Sequence, residues 1–152
     1  MSKSLYLLQS LLKKRQTLKN KGVSSMYADY EFYKNTYNGT LEEADALKAL
    51  NKASRHIDTL TYNRILEIGF NNLTEYQQGI IKECECLMAD WETENADYIN
   101  SMLSSYSLNG ASMSFTGQSA SATVISGVAV SRDIYSHLQK SGLCTRSIRG
   151  YR

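Results

Sequence analysis

Not one proline occurs in the 152 residues. Proline is the residue that most firmly ends or kinks a helix, because it lacks the N–H and its ring collides with the preceding turn. A chain without it can carry long helices, and the length suits one domain with a real core rather than separate cofactor and substrate lobes. With 42% hydrophobic residues and a net charge of +2, the composition is that of a folding chain and not a disordered one. No apolar run approaches the roughly 18 residues of a transmembrane helix. Three cysteines, an odd number, fit a reducing compartment better than a disulfide framework. The stretch Leu5-Tyr6-Leu7-Leu8 is broken by Gln9 and Ser10 and has most of its positive charge after it, so it does not read as a secretory signal.

Helical periodicity begins at once. Over residues 4–21, Leu5, Leu8, Leu11, Leu12, Arg15 and Leu18 follow helical spacing with lysines on the other face, and Gly22 is the expected stop. Such a helix suits a membrane surface or a protein partner; lacking Trp and Phe, it reads as docking on a partner or neighbouring subunit. Next come Tyr27, Tyr30, Phe32, Tyr33 and Tyr37, in a short helix that Asp29 would cap and Asn38-Gly39 would end. Asp29 and Glu31 lie among these rings and only Lys34 is basic, which favours core or interface packing over base stacking.

Thr40-Leu41-Glu42-Glu43 and Thr74-Glu75-Tyr76-Gln77 both read as capping boxes. The first opens a helix with the stripe Leu41, Ala44, Leu47, Leu50, Ser54 and Ile57. A second helical piece follows through Leu60, Tyr62, Ile65 and Leu66, until Gly69 and Asn71-Asn72 interrupt it. The second box opens the longest helix, with Ile80, Cys84, Leu87, Trp91, Tyr98 and Met102 in series, expected to run to about residue 100.

Between Ser101 and Ser131 the chain holds ten serines and no charged residue. Tyr106 and Leu108 alternate with serines, then Asn109-Gly110, then Ala111, Met113 and Phe115 alternate with serines again. Asn-Gly is the preferred type I′ hairpin turn. Folding there would put Tyr106, Leu108, Met113 and Phe115 on one side of a hairpin. Val124 to Val130 reads as a further extended stretch, and Ser131 as the cap of a short helix through Ile134, Tyr135 and Leu138, with Gly142 after it. The expected fold is therefore mainly α: a small helical bundle with one long helix, a β-hairpin at about residues 104–115, and a short C-terminal helix.

No catalytic constellation stands out. Cys84 and Cys86 stand two apart on a predicted helix, so they point away from each other and cannot share a metal ion. Gly117-Gln118-Ser119-Ala120-Ser121 resembles a nucleophile elbow without its second glycine, in surroundings that offer no helix. Glu42, Glu43 and Asp45 at a helix start are accounted for by the helix dipole. The expectation is no enzyme, no metal and no cofactor.

The charge is segregated. Residues 1–22 carry six cations and no acid, residues 23–145 carry 8 basic and 15 acidic side chains, and Arg146, Arg149 and Arg152 end the chain. Ordinary solvated surface is one account; basic arms around an acidic body is the other. The tail, with Tyr151 among its arginines, is either idle or an arm that docks on a partner. The chain accordingly divides into a basic helical extension (1–25), a helical body (26–144) and a basic arm (145–152).

Four segments in order carry a likeness: Tyr27-Ala28-Asp29-Tyr30-Glu31-Phe32-Tyr33 ending in Tyr37-Asn38-Gly39; Ala53-Ser54-Arg55-His56-Ile57-Asp58-Thr59-Leu60-Thr61; Ser105-Tyr106-Ser107-Leu108-Asn109-Gly110-Ala111-Ser112-Met113-Ser114-Phe115; and Gly142-Leu143-Cys144-Thr145-Arg146. Together they resemble the head–tail connector (adaptor, or head-completion) proteins of long-tailed bacteriophages of Gram-positive hosts, over about residues 26–148. The resemblance implies a virion structural protein that assembles in the host cytoplasm and ends in the neck. Twelve copies would ring the underside of the portal protein, extend the channel through which double-stranded DNA passes, and offer a landing surface for the stopper or tail-terminator protein. The uncharged apolar edge of the expected hairpin, too large to stay exposed, and the arginine tail with its tyrosine make Tyr106, Leu108, Asn109, Gly110, Met113, Phe115, Arg146, Arg149, Tyr151 and Arg152 the candidate portal or inter-subunit interface. Residues 1–25 lie outside the likeness, either as an added extension or as a misread start upstream of Met26. The alternative function is a small helical regulatory or nucleic-acid-binding protein using its basic termini.

Overall fold

The computed structural model describes residues 2–19, 26–109 and 122–146. In chain order these form α1 (Ser2–Lys19), a π turn (Phe32–Thr36), α2 (Glu43–Leu60), α3 (Arg64–Ile68), a 3₁₀ turn (Phe70–Asn72), α4 (Glu75–Glu94), α5 (Ala96–Asn109), β1 (Ala122–Ile125), β2 (Val128–Ser131) and α6 (Arg132–Gln139). The protein is mainly helical, with one antiparallel hairpin and a short C-terminal helix.

The core is the seam between α2 and α4. Ala46, Leu50, Ala53, Ile57 and Leu60 of α2 are buried, as are Ile80, Ile81, Cys84, Met88 and Ala89 of α4. The buried face of α2 is turned from the expected stripe: Ala44 is exposed and Leu47 half-buried, while Ala46 and Ala53 point inward. Small residues there let α4 approach closely, and the larger Leu50 and Ile57 fill the space between. Burying a Leu, Ile or Met side chain contributes about 1.5–3 kcal/mol each, so this seam dominates the cohesion of the body. Ile134 and Leu138 of α6 close it from the α4 side.

One of the two expected capping boxes forms. At α4 the Gln77 N–H donates to Thr74 Oγ1 at 3.2 Å and the Thr74 N–H donates to Gln77 Oε1 at 3.1 Å. At α2 the N-cap residue is Glu42, with no side-chain bond. The Leu41 N–H instead donates to the Tyr33 hydroxyl at 3.2 Å, so the chain ahead of α2 is held by the aromatic segment and not by Thr40. The longest helix also stops earlier than expected. Both the backbone N–H and the side-chain amide of Asn95 donate to the Trp91 carbonyl, which closes α4, and Tyr98 and Met102 belong to α5.

The hairpin is not at residues 104–115. Residues 104–109 are the last turns of α5, and residues 110–115 lie outside the described residues. Helical spacing prevails over alternation here: Ile99, Met102 and Leu103 pack with Trp91 and Tyr98 against Ala122, Val124 and Ala129. The serines that look like strand residues are accommodated by the helix, Ser104 Oγ donating to the Asn100 carbonyl at 2.8 Å and Ser105 Oγ to that of Ser101 at 3.0 Å. The hairpin forms instead from β1 and β2, pairing Ala122 with Ser131 through Ile125 with Val128. Its turn, Ser126-Gly127, has φ of +50° and +79°, the two positive angles of a type I′ turn. All of β2 is buried, packed on α2, α5 and α6.

Candidate functional site

The expected interface residues are not brought together as a hairpin edge. Tyr106, Leu108 and Asn109 are positions of α5, and 106 and 108 stand about 200° apart around a helix. Gly110, Met113, Phe115, Arg149, Tyr151 and Arg152 lie outside the described residues. Arg146 is described and exposed, just beyond a tethered segment. There Arg64 Nη1 donates to the Leu143 carbonyl at 3.1 Å and to Thr145 Oγ1 at 3.2 Å, and Gln77 Nε2 donates to the Ser141 carbonyl at 2.9 Å. The start of the basic arm is thus fixed to α3 at Thr145, and the segment just before it to α4 at Ser141.

The aromatic segment is fastened to the helical core by two buried carboxyl groups, Asp58 and Glu85, and the half-buried Asp90. Tyr27 donates a short hydrogen bond to Asp58 Oδ1. The N–H groups of Tyr27 and Ala28 both donate to Glu85 Oε2, at 2.9 and 2.7 Å. Tyr33 donates to Asp90 Oδ1 at 2.5 Å and stacks on Tyr37 at 5.6 Å. Asp29 caps the start of the segment by accepting the Phe32 N–H at 2.8 Å, as expected. Tyr27 and Tyr33 are buried, so the reading of these rings as core packing agrees with their environment.

Burial pushes the Glu85 carboxyl, the Tyr27 and Tyr33 phenols and the three cysteine thiols toward their neutral forms. The Glu85 carboxyl is pushed up to about 8, chiefly because it is desolvated; the two backbone N–H bonds oppose that shift without cancelling it. Its Oε1 has no partner among the described residues. Burial together with the Asp58 carboxylate pushes the Tyr27 phenol well above its usual range, and the Tyr33 phenol rises to about 12 for similar reasons. The thiols of Cys84 and Cys86 are pushed up to about 12 by burial, and that of Cys144 to about 11. Raised phenols and thiols are poor nucleophiles, so this cluster acts as a latch. A third buried acid, Glu92, takes a short hydrogen bond from His56, and Lys52 Nζ lies 3.2 Å from its other oxygen.

The sequence reading missed Asp58, Glu85 and Glu92. The signal was present: Glu85 sits four residues after Ile81 and three before Met88, inside the apolar stripe, where an acid has no solvated reason to be. Among the described residues no cluster of His, Cys, Asp and Glu could hold a metal ion. No helix among them is long and apolar enough to cross a membrane.

Two exposed apolar surfaces complete the inventory. Leu5, Tyr6, Leu7, Leu8, Leu11 and Leu12 stand out from α1, Tyr62 and Leu66 from the link between α2 and α4, and Tyr76 from the first turn of α4. No family model, curated protein or solved structure matches this chain.

Proposed function

We propose that the chain is a structural subunit of a phage head–tail adaptor ring, without catalytic activity, docked beneath the portal in the virion neck. The observation that carries this reading is that two of the four segments on which the resemblance rests are bonded to each other and a third is tied to the stretch that follows them. The 27–39 segment is bound to the 53–61 segment by Tyr27 and Asp58, and Leu143 and Thr145 of the 142–146 segment are bound by Arg64 just beyond α2. Contact between segments that resemble a family in order along the chain supports reading them as one unit. The acidic body, with 8 basic and 15 acidic side chains over residues 23–145, suits a channel wall past which DNA slides without being gripped. The basic segments at either end of the sequence suit arms reaching acidic partners.

In this reading the ring has twelve copies, binds the portal protein on one side and a stopper or tail-terminator protein on the other, and closes by head-to-tail contacts. Residues 106–115 and the arm from Arg146 are the proposed contacts to portal or neighbour. Mixing the protein with its cognate portal protein at micromolar concentration, followed by sedimentation and negative-stain imaging, tests the reading. A ring of density capping the portal is expected. Absence of co-sedimentation defeats it, and tight, steeply salt-dependent duplex binding would favour a nucleic-acid-binding regulator instead.

A further inference from the structure

α1 exposes a row of leucines that the chain's own body does not cover. Leu5, Leu8, Leu11 and Leu12 are each 56% exposed or more. Contiguous apolar surface of this kind marks an interaction site. The helix also carries Lys3, Lys13, Lys14, Arg15 and Lys19 with no acid. Pairing α1 with α1 of a second copy would set cations against cations, so charge directs it toward an acidic surface. The leucines require an apolar floor on that surface. Apart from α1, the large apolar side chains exposed among the described residues are Tyr62, Leu66 and Tyr76, at 40%, 56% and 65%. Tyr62 and Leu66 lie in the link between α2 and α4 and Tyr76 in the first turn of α4; Leu66 and Tyr76 are next in sequence to the exposed acids Glu67 and Glu75, while Arg64 in the same stretch is occupied by Leu143 and Thr145. The acidic cluster at the start of α2 (Glu42, Glu43, Asp45) offers charge but no exposed large apolar side chain.

We propose that α1 of one copy docks on residues 62–76 of a second copy of this chain, its leucines on Leu66 and Tyr76 and its positive charge toward Glu67 and Glu75. The two surfaces differ, so the contact is head-to-tail, the kind that closes rings. It deepens the ring reading, on which it rests for the presence of neighbouring copies, and it needs no portal.

The test mixes two full-length variants, each with one added cysteine, Leu8→Cys and Tyr76→Cys, under mild oxidation. The native Cys84, Cys86 and Cys144 are buried and compete poorly. A mixed disulfide can form only between copies. It is expected in several-fold excess over the product of either variant alone, and adding Glu67→Lys and Glu75→Lys to the Tyr76→Cys partner should cut the yield about threefold at low salt. Yield no greater than for the single variants overturns the proposal. So does a Leu8→Cys homodimer as the main product, which would assign α1 to pairing with itself. Binding of the chain to vesicles containing phosphatidylglycerol without a mixed disulfide would assign α1 to a lipid surface. A mixed disulfide without portal binding would defeat the adaptor reading alone; portal binding without the disulfide would defeat this one alone.

Discussion

The ring of Tyr33 lies so close to Gly39 that a Cβ on the glycine would stand 2.0 Å from Cζ and 2.2 Å from Cε1. The ring has no room to yield. It is fully buried, and its hydroxyl is bonded to both Asp90 and the Leu41 N–H. Glycine is required here for the approach of a side chain to the backbone. Gly39→Ala should cost about 3 kcal/mol or more, as over-packing of an ordered core does, and lower Tm by roughly 6–12 °C in thermal melts. Combining it with Tyr33→Leu should recover part of the loss, because the two residues share one space.

The pH dependence of stability should carry the signature of Glu85. Its folded pKa is raised to about 8 against an ordinary value of 4.5. Between those values the folded state binds more protons than the unfolded one, so stability falls as pH rises and levels off above about 8. Tm should therefore decline from pH 5 to pH 8.5. Glu85→Gln, a neutral side chain of the same shape, should flatten that slope while changing Tm little at pH 5. A slope unchanged in the variant would mean that another group is responsible.

Tyr27→Phe removes one hydroxyl and leaves the ring to stack on Phe70, 5.0 Å away. Asp58, only 5% exposed, then loses that donor. Loss of a hydrogen bond to a buried acid costs about 1–3 kcal/mol, measurable by urea denaturation as a lower midpoint with an unchanged m-value.

The turn of the hairpin offers a change of opposite sign. Ser126 has φ of +50°, which serine adopts at a cost and asparagine tolerates better. Ser126→Asn should stabilise the protein by about 0.5 kcal/mol, seen as a small rise in Tm. Gly127→Val, at φ +79°, should do the reverse and more strongly.

The helices were legible because each writes its period in the sequence: Ile80, Cys84 and Leu87 announce α4, and Thr74 with Gln77 announces its start. What escaped was decided by partners distant in the chain. The Thr40 box does not form: α2 begins later, with Glu42 as its N-cap, and the Leu41 N–H ahead of it is bound to Tyr33, a contact no local pattern contains. Tyr106-Ser107-Leu108 alternates as a strand would, but upstream Ile99 and Met102 set a helical face against Ala122 and Ala129, and serine fits either state. Asp58 looks like surface charge until the phenol that binds it is folded over it, and Glu85, though it stands in the apolar stripe of α4, is bound by backbone N–H groups 57 and 58 residues away that no local pattern shows.

Helix and strand make opposite demands at Ser104, and that opposition gives the last prediction. The residue is exposed, so substitutions there touch little and report mainly on backbone preference. In a helix alanine exceeds serine, and valine falls below alanine by roughly 0.5 kcal/mol or more. In a strand the order inverts, because a branched side chain suits a pleated surface and alanine does not. Its hydroxyl bond to the Asn100 carbonyl is of the kind that slightly weakens a helix, so its loss should not reverse the ranking. Ser104→Ala should therefore raise the urea midpoint, and Ser104→Val should fall below Ser104→Ala, with far-UV ellipticity following the same order. If valine were the most stabilising of the three residues, residues 104–109 would be extended in solution and the α5 assignment would be wrong.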